Sequence, residues 1–264
     1  MTAVASDPED HSALAFYEGF AAEYHLMWDD WWAAAVRHGR VLGAVLAAHG
    51  VGPPASVLDC SCGIGTQALG LAHGGYTVTG TDLSPAAVER AREESGRRSI
   101  PVTLAVADMR VVDRVVGRTY DAVVSADNSL PHLLTDDDLA AAVGSIRRCV
   151  KPGGVFLATI RDYDQLAELR PPGMMPCIID GPEGRRIIGQ AWEWAPDSEA
   201  VRINLFLLRE GDEHWTCSMH TTRYRALRRP VLTDALTAAG FATVSWHSPD
   251  TTGFYQTIVT AVTD

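Results

Sequence analysis

Short apolar runs alternate with longer amphipathic stretches through the first part of the chain. The apolar runs have the length and composition of buried β-strands, and the stretches between them have helical periodicity. Strands that alternate with helices predict a doubly wound α/β fold with a parallel sheet, whose ligands gather at the carboxyl ends of the strands. The predicted strands lie at residues 56–58, 76–81, 102–106, 120–125 and 155–160.

After residue 169 the pattern changes, and apolar and polar residues begin to alternate. The alternation predicts three antiparallel strands. We expect an inserted β cap at 170–227 that begins with a loop at 170–184 and carries Gln190, Trp192 and Trp194 on one face. The predicted cap strands lie at 186–194, 201–209 and 214–226, with a turn at 196–198.

Both ends of the chain complete this plan. Residues 13–50 have a helical pattern, interrupted by HLMWDDWW, and predict a helical lid on a core at 51–169. Residues 228–264 predict a helix and two strands, and the turn between these strands, at 249–253, is too short for a crossover helix. The sheet should then have seven strands with the last one antiparallel. The polar residues 1–12 predict a disordered tail.

Composition narrows the classes of function. The 264 residues are 47% hydrophobic, which suits one domain with an insertion. The formal net charge of -11, without a basic stripe, argues against nucleic acid as a partner. No apolar run approaches the ~20 residues that cross a bilayer, and no signal peptide is recognised, so we expect a cytoplasmic protein. Five cysteines lack paired spacing, and Cys60-x-Cys62 lacks the second pair that zinc requires, so no metal is expected.

The stretch SVLDCSCGIGT, residues 56–66, predicts a strand, a glycine turn and the start of a helix. Gly63 and Gly65 let the backbone approach a ligand, and the free N–H groups of the first helical turn attract a small anion. Gly63-x-Gly65-x-x-Ala68 also satisfies the loose dinucleotide fingerprint. However, Asp59 would repel a pyrophosphate, and it suits a ligand with a cation beside its carboxylate, such as S-adenosylmethionine.

Two further acids follow predicted strands. Asp82 comes nineteen residues after Gly63, where an acid can bind both hydroxyls of a ribose. Asp108 follows the third strand and suits an adenine amine. Acids at three successive strand ends are a more specific signal than the glycines. The alternative is that these acids only cap helices, a role that also suits Asp82.

These residues resemble the motifs of the class I S-adenosylmethionine-dependent methyltransferases, which implies a Rossmann-like fold. The stretches YHLMWDDWW, DNSLPHLL, RDYD, QAWEW, TRYRAL and GFYQTIVTA make the chain similar to the glycine and sarcosine N-methyltransferase group from about Phe16 onward. The resemblance implies methyl transfer to a small amino acid held by Asn128 and Arg161. The predicted cofactor-binding residues are Tyr24, Trp31, Arg37, Asp59, Ser61, Gly63, Gly65, Asp82, Leu83, Asp108, Met109 and Ala126.

Two candidate substrate residues have alternative roles. His132 is either a base or, as we favour, a structural histidine at a loop–helix junction, because an amine can lose its proton to water. Arg161 either binds a substrate carboxylate through both of its terminal nitrogens or pairs with Asp162 or Asp164.

The aromatic and apolar residues of the sequence do not decide which molecule accepts the methyl group. The three tryptophans of the N-terminal segment, Trp28, Trp31 and Trp32, have two possible roles. They pack between helices, or one of them, Trp31, closes over the cofactor together with Tyr24 and Arg37. Trp32 and an apolar run depart from the group and favour an acceptor larger than glycine. That run comprises Met174, Met175, Ile178 and Ile179.

Three functions therefore compete: an amino-acid N-methyltransferase, a natural-product methyltransferase with an N, O or C acceptor, and a non-catalytic module that senses the cofactor. The acceptor is expected to be a small molecule that carries a carboxylate. The sequence does not decide whether the protein forms a homo-oligomer.

Overall fold

The computed structural model describes residues 12–196 and 199–264. The predicted tail at 1–12, except Ser12, and residues Asp197 and Ser198 of the predicted turn lie outside these ranges. Within the described ranges, no helix has the length and apolar content that crossing a bilayer requires.

The described helices and strands follow the chain in this order. The helices are α1 (Ala13–Phe20), α2 (Trp31–Ala48), α3 (Thr66–His73), α4 (Pro85–Arg98), α5 (Val112–Val116), α6 (Asp136–Cys149), α7 (Tyr163–Leu169), α8 (Arg229–Ala238) and α9 (Pro249–Thr252). Short 3-10 helices cover Tyr24–Met27, Met109–Val111 and Leu130–His132. The strands are β1 (Ser56–Asp59), β2 (Thr77–Asp82), β3 (Thr103–Val106), β4 (Tyr120–Ser125), β5 (Val150–Ile160), β6 (Gly173–Gly181), β7 (Gly184–Trp194), β8 (Ala200–Arg209), β9 (Thr216–Arg225), β10 (Thr243–His247) and β11 (Thr257–Val262).

Seven of these strands form one sheet in the order β10-β11-β5-β4-β1-β2-β3. β1 pairs in parallel with both β2 and β4, whereas β11 lies antiparallel between β10 and β5. Apolar residues of α2 and α3 cover one face of the sheet, and those of α6 and α8 cover the other. The predicted α/β fold with an antiparallel last strand is confirmed. Because β2 and β4 continue the chain on opposite sides of β1, a crevice opens at the carboxyl ends of these three strands.

The second sheet has the order β6-β7-β8-β9 and is antiparallel throughout. The antiparallel insertion is confirmed, but the prediction of a loop at 170–184 and of only three strands is wrong, because β6 forms there. Pro176 lies in β6 where the pairing with β7 is irregular. β6 is an edge strand, and a proline without an N–H group is tolerated at such a position.

The three predicted cap residues do share a face of β7. The Trp192 and Trp194 rings lie 6.0 Å apart, and Trp192 Nε1 donates a hydrogen bond to Gln190 Oε1 at 3.0 Å. This face of the cap points toward the end of the large sheet, because Gln190 Oε1 also accepts a hydrogen bond from Arg161, which follows β5.

The N-terminal segment packs against the second sheet. Phe16 of α1 forms an apolar cluster with Leu205 of β8. Arg186 of β7 is fully buried, and its guanidinium donates to the carbonyl oxygens of Leu26, at 2.8 Å, and Trp28. These contacts fix the 3-10 helix after α1 against the cap.

Helices α2 and α3 approach each other through two glycines. A Cβ at Gly39 would lie 2.1 Å from the carbonyl carbon of Gly70, and a Cβ at Gly70 would lie 2.1 Å from the carbonyl oxygen of Ala35. No side chain fits between the two backbones. Since α3 begins directly after the glycine turn, this contact also positions that turn.

We expect Gly39→Ala to lower the free energy of unfolding by roughly 1–3 kcal/mol, because the added methyl group forces the two helices apart. Gly96→Ala is the matched control. It also lies in a helix, and its Cβ would meet no atom within 4 Å. It should raise stability by about 0.5–1 kcal/mol, because alanine restricts the unfolded chain. Urea unfolding monitored by circular dichroism measures both, and equal effects would contradict the close helix contact.

Candidate active site

The glycine turn between β1 and α3 depends on left-handed backbone conformations. Gly63 has φ +51° and Gly65 has φ +96°, a region that residues with a Cβ rarely adopt. At Gly65 a Cβ would also lie 3.0 Å from a methyl carbon of Leu69. The turn therefore requires glycine at both positions, and it leaves the N–H groups at the start of α3 facing the crevice.

Asp82, at the end of β2, holds this turn in place. Its Oδ2 accepts a hydrogen bond from the Gly63 N–H at 2.8 Å, and its Oδ1 accepts one from the Ser84 N–H at 3.0 Å. Burial raises the pKa of the Asp82 carboxyl despite these donors. Asp82 is not the cap of α4, because the Ser84 side chain has that role.

A cavity of about 560 Å³, called here the first cavity, opens beside the turn. Its lining comes from the N-terminal segment, the glycine turn and the ends of β2, β3 and β4. The structure thus brings together predicted residues that are far apart in sequence. The predicted cofactor residues that line it are Tyr24, Ser61, Gly63, Asp82, Leu83, Asp108 and Met109.

The other predicted cofactor residues do not line the first cavity. Trp31 is buried and its Nε1 donates to Thr66 Oγ1 at 2.8 Å, so it supports a lining residue. Arg37 is exposed and faces a separate small cavity beside Phe254. Arg37 thus lies outside the lining of the first cavity, and its cofactor contact stays a prediction. Three more residues lie behind the lining: Asp59, Gly65 and Ala126.

Asp59 carries a buried carboxylate oxygen without a partner. The residue is only 1% exposed; its Oδ1 accepts from the Ser61 N–H at 3.2 Å, and its Oδ2 has no hydrogen bond among the described residues. Burial, with a contribution from the charge of Asp82, raises the pKa of Asp59 to about 7. Such a group favours a positive charge nearby.

Asp108 lines the first cavity and also binds the neighbouring residue Arg110. Its Oδ1 accepts from the Arg110 N–H at 2.9 Å, which caps the 3-10 helix, and its Oδ2 pairs with the Arg110 guanidinium at 2.6 Å. Arg110 also pairs with Asp138 at 2.6 Å and lines the first cavity. The capping alternative thus holds for Asp108.

A second cavity of about 550 Å³ lies between the large sheet and the cap. It contains both residues predicted to hold the substrate, Asn128 and Arg161. Three residues line the first and the second cavity alike, namely Tyr17, Tyr24 and Asp127. The two cavities therefore meet at these three side chains.

Arg161 has a buried guanidinium without a carboxylate partner among the described residues. Its Nη2 donates to Gln190 Oε1 at 3.4 Å, and its Nη1 is buried with no hydrogen bond. The guanidinium carbon lies 5.2 Å from the Trp192 ring and 5.7 Å from the Tyr224 ring. The alternative pairing with Asp162 or Asp164 is wrong, because both acids pair with another arginine, Arg229, at 2.8 Å and 3.4 Å.

Asn128 ties the ends of β4 and β5 together. Its Nδ2 donates to the Tyr163 hydroxyl at 2.9 Å, and its Oδ1 accepts from the Arg161 N–H at 3.1 Å. The side chain is buried, with 2% exposure. Its placement suits a residue that positions Arg161.

His132 lines the first cavity but is held by its neighbours. Its Nε2 lies 3.2 Å from the Tyr17 hydroxyl, and its ring lies 4.4 Å from the Tyr224 ring. Burial lowers the pKa of His132 to about 3, so the ring is uncharged at neutral pH. This geometry favours the structural role for His132.

Asp127 is a further site residue that was not among those predicted from the sequence. Both Asp127 and Asn128 have left-handed backbones, with φ +59° and +65°, which aspartate and asparagine tolerate better than most residues. Asp127 Oδ2 accepts the Tyr24 hydroxyl at 2.7 Å, and Oδ1 accepts the Tyr255 hydroxyl. An acid just beyond the fourth strand continues the series that begins with Asp59, and that was the available signal.

Most of the apolar residues that depart from the family pattern lie outside the second cavity. Met174 lines the second cavity, whereas Met175 is 89% and Ile178 67% exposed. Ile179 packs against an apolar cluster at the N-terminal segment. Trp32 lies under the Arg98 guanidinium, 4.6 Å from its carbon. Only Met174 is therefore placed to shape an acceptor pocket.

Comparison with known proteins agrees with this site. A family profile described as a methyltransferase domain matches residues 57–154. The putative methyltransferase YqeM of Bacillus subtilis (strain 168) is 31% identical over 203 residues, which cover 75% of this chain and 75% of YqeM. This chain belongs to the S-adenosylmethionine-dependent methyltransferases.

Other relatives of this methyltransferase carry more specific names. A glycine/sarcosine N-methyltransferase of Parasynechococcus marenigrum (strain WH8102) is 30% identical over 162 residues, or 60% of this chain and 55% of that protein. The chain thus matches about half the length of that relative. Among solved structures, the CcbJ methyltransferase of Streptomyces caelestis has a TM-score of 0.76 at 20% identity, covering 97% of this chain and 100% of CcbJ. CcbJ therefore shares the fold.

The cofactor of this methyltransferase is S-adenosylmethionine, and the first cavity fits it. A Cβ at Gly63 would meet no atom within 4 Å, so the space beside the turn is open to a ligand. The N–H groups of α3 suit a carboxylate. Behind the lining, the buried carboxyl of Asp59 favours a positive charge in the cavity, such as the ammonium or sulfonium of the same molecule. Asp82 and Asp108 line the same cavity, and their binding of a ribose and an adenine stays a prediction.

We expect wild-type stability, measured relative to Asp59→Asn, to fall as the pH rises from about 4 to about 7. The Asp59 carboxyl ionises near its ordinary pKa of 3.8 in the unfolded chain but at about 7 in the folded chain. Between these values the folded state holds the extra proton, so raising the pH removes stability by up to about 1.4 kcal/mol per pH unit, and no further loss follows above the folded pKa. Urea unfolding of both proteins at a series of pH values measures the difference.

A constant difference between the two proteins would show that Asp59 ionises like an exposed carboxyl. A second comparison connects Asp59 to the ligand. S-adenosylhomocysteine should raise the melting temperature of the wild type more than that of Asp59→Asn near neutral pH, because the ligand's ammonium group favours the ionised carboxylate.

Proposed function

We propose that this methyltransferase transfers a methyl group to the amine nitrogen of an amino acid. The observation that carries the proposal is the Arg161 guanidinium in the second cavity, which has a buried Nη1 without a hydrogen bond and no carboxylate partner among the described residues. A buried charge without a partner is costly, and a ligand carboxylate would supply two charge-assisted hydrogen bonds. Relatives named glycine/sarcosine N-methyltransferases support the same acceptor class.

Methyl transfer to an amine is a direct displacement, so the protein needs no nucleophile of its own. S-adenosylmethionine supplies the methyl group. The chain must hold an uncharged nitrogen in line with that group and keep water away. Arg161 fixes the carboxylate end of the acceptor, and Asn128 fixes the backbone of Arg161. The rings of Trp192 and Tyr224 pack near the guanidinium and help to keep it in place.

The size of the second cavity favours a second candidate, a methyltransferase with a larger natural-product acceptor. A volume of about 550 Å³ is within the range of pockets that bind drug-sized ligands and exceeds what glycine requires. Size and charge together favour an acceptor that has a carboxylate and a side chain. An acceptor without a carboxylate would leave Arg161 unpaired.

Arg161→Lys separates the two candidates. Lysine keeps the charge but cannot form two parallel hydrogen bonds to a carboxylate. We expect kcat/KM for the amino-acid acceptor to fall about 10- to 100-fold while affinity for S-adenosylhomocysteine is unchanged. A radiolabelled methyl-transfer assay over a panel of amino acids measures the loss.

Two controls accompany this variant. Arg92→Lys changes an exposed arginine of α4 that pairs with Glu89, and it should leave activity unchanged. For the wild type, amino-acid amides should be poor acceptors because they lack the carboxylate. Normal activity of Arg161→Lys, or equal rates for amide and acid, would reject the carboxylate site and favour the natural-product acceptor.

A further inference from the structure

Asp127 occupies the boundary between the first and the second cavity. It follows β4 by two residues and lines both spaces. A methyl group that passes from a cofactor in the first cavity to an acceptor in the second must cross this boundary. Tyr17 and Tyr24 line it too, and neither carries a charge, since burial raises the pKa of both hydroxyls well above their ordinary value.

The Asp127 carboxylate is held in a fixed orientation. The hydroxyls of Tyr24 and Tyr255 each donate to one of its oxygens. Its backbone N–H donates to Thr159 Oγ1 at 2.8 Å, and that hydroxyl donates to Gln256 Oε1 at 2.7 Å. Each carboxylate oxygen has two acceptor sites, so one on each oxygen remains for a ligand.

The charge of Asp127 has no counter-ion within 4 Å among the described residues. Arg161 lines the same second cavity, yet the two do not form an ion pair. An anionic and a cationic side chain thus share one cavity without meeting. A molecule with an ammonium group at one end and a carboxylate at the other can join them.

The aromatic lining of the second cavity suits an ammonium that gains methyl groups. Trp28, Tyr17 and Tyr24 line the second cavity on the side of the N-terminal segment. Aromatic faces attract an ammonium ion even when methylation has removed its hydrogen-bond donors.

We infer that Asp127 binds the ammonium group of the acceptor and accepts its proton before methyl transfer. The inference rests on the proposed function and names the residue that receives the amine. The neighbouring candidates suit this role less well. Asn128 is neutral and cannot accept a proton, and its side chain binds Tyr163 and Arg161. His132 is buried and uncharged, and it contacts Tyr17.

The step balances in atoms and charge. One N–H bond of the ammonium breaks and its proton moves to a carboxylate oxygen of Asp127, which leaves the nitrogen with a lone pair. The nitrogen then forms a bond to the methyl carbon while the bond from that carbon to sulfur breaks, and the bonding electrons stay on sulfur. The product is a methylated ammonium and a neutral thioether, and Asp127 returns its proton to water.

The test is Asp127→Asn, which keeps the shape of the side chain and tolerates the left-handed backbone. Calorimetry in the presence of S-adenosylhomocysteine compares glycine with acetate, and phenylalanine with 3-phenylpropionate. We expect the wild type to bind each amino acid about 10- to 100-fold more tightly than its amine-free partner, and the variant to lose most of this preference. The kcat for methyl transfer should fall about 100-fold or more.

Asp164→Asn is the control. Asp164 pairs with Arg229 and lines neither cavity, so its loss should change neither the binding preference nor kcat. If Asp127→Asn binds and methylates the amino acids as the wild type does, the inference is overturned. If Asp127→Asn does not fold, Tyr255→Phe removes one of the two donors to the carboxylate and should give a smaller loss in the same direction; an unchanged preference in that variant overturns the inference as well.

Failure of the proposed function has a different signature. In that case the wild type methylates phenethylamine, which has no carboxylate, at least as well as phenylalanine, and Arg161→Lys has normal activity. Phenethylamine then replaces phenylalanine in the Asp127→Asn assay. A loss of its methylation supports the role of Asp127 for an acceptor of another class, and normal methylation overturns it.

Discussion

Four aspartates gather at one edge of the large sheet because the strands that carry them run parallel and end together. Asp59 and Asp82 end β1 and β2, while Asp108 and Asp127 follow β3 and β4 by two residues. Burial raises the pKa values of Asp59 and Asp82, and the charge of Asp82 contributes to the shift of Asp59. A ligand with a sulfonium and an ammonium group favours the ionised form of such buried carboxyls. The fold thus creates an electrostatic environment that suits a positively charged cofactor.

The acceptor side of the site depends on parts of the chain outside the parallel sheet. The cap supplies Gln190, Trp192 and Tyr224, and the N-terminal segment supplies Tyr17 and Tyr24. These parts are held together by buried polar contacts, as between Arg186 and the carbonyl groups of the N-terminal segment. Substitutions in the cap can therefore alter acceptor binding while leaving the cofactor cavity intact.

The elements and the cofactor cavity followed from local patterns in the sequence. Strand periodicity, the glycine turn at Gly63 and acids at strand ends are short-range signals, and they placed Asp82 at the end of the second strand, where the structure has it. β6 was missed because Pro176 is typical of loops, and only its place at a sheet edge makes it compatible with a strand. Arg37 was placed by resemblance, yet the packing of α2 directs it to another cavity.

The contacts of Asp127 and Arg161 could not be predicted from the sequence, since they join distant segments. The sequence left Arg161 with two neighbouring acids, and only the fold shows that Arg229 takes them. Likewise, Tyr255 reaches Asp127 only because β11 lies beside β5.

We propose that cofactor and acceptor occupy two cavities that meet at Asp127. A crystal structure with S-adenosylhomocysteine and an amino acid bound together tests this arrangement. We expect the sulfur of the thioether and the nitrogen of the amino acid to face each other across Asp127, with the carboxylate of the amino acid on Arg161. An amino acid bound outside the second cavity, or a carboxylate distant from Arg161, would contradict the account.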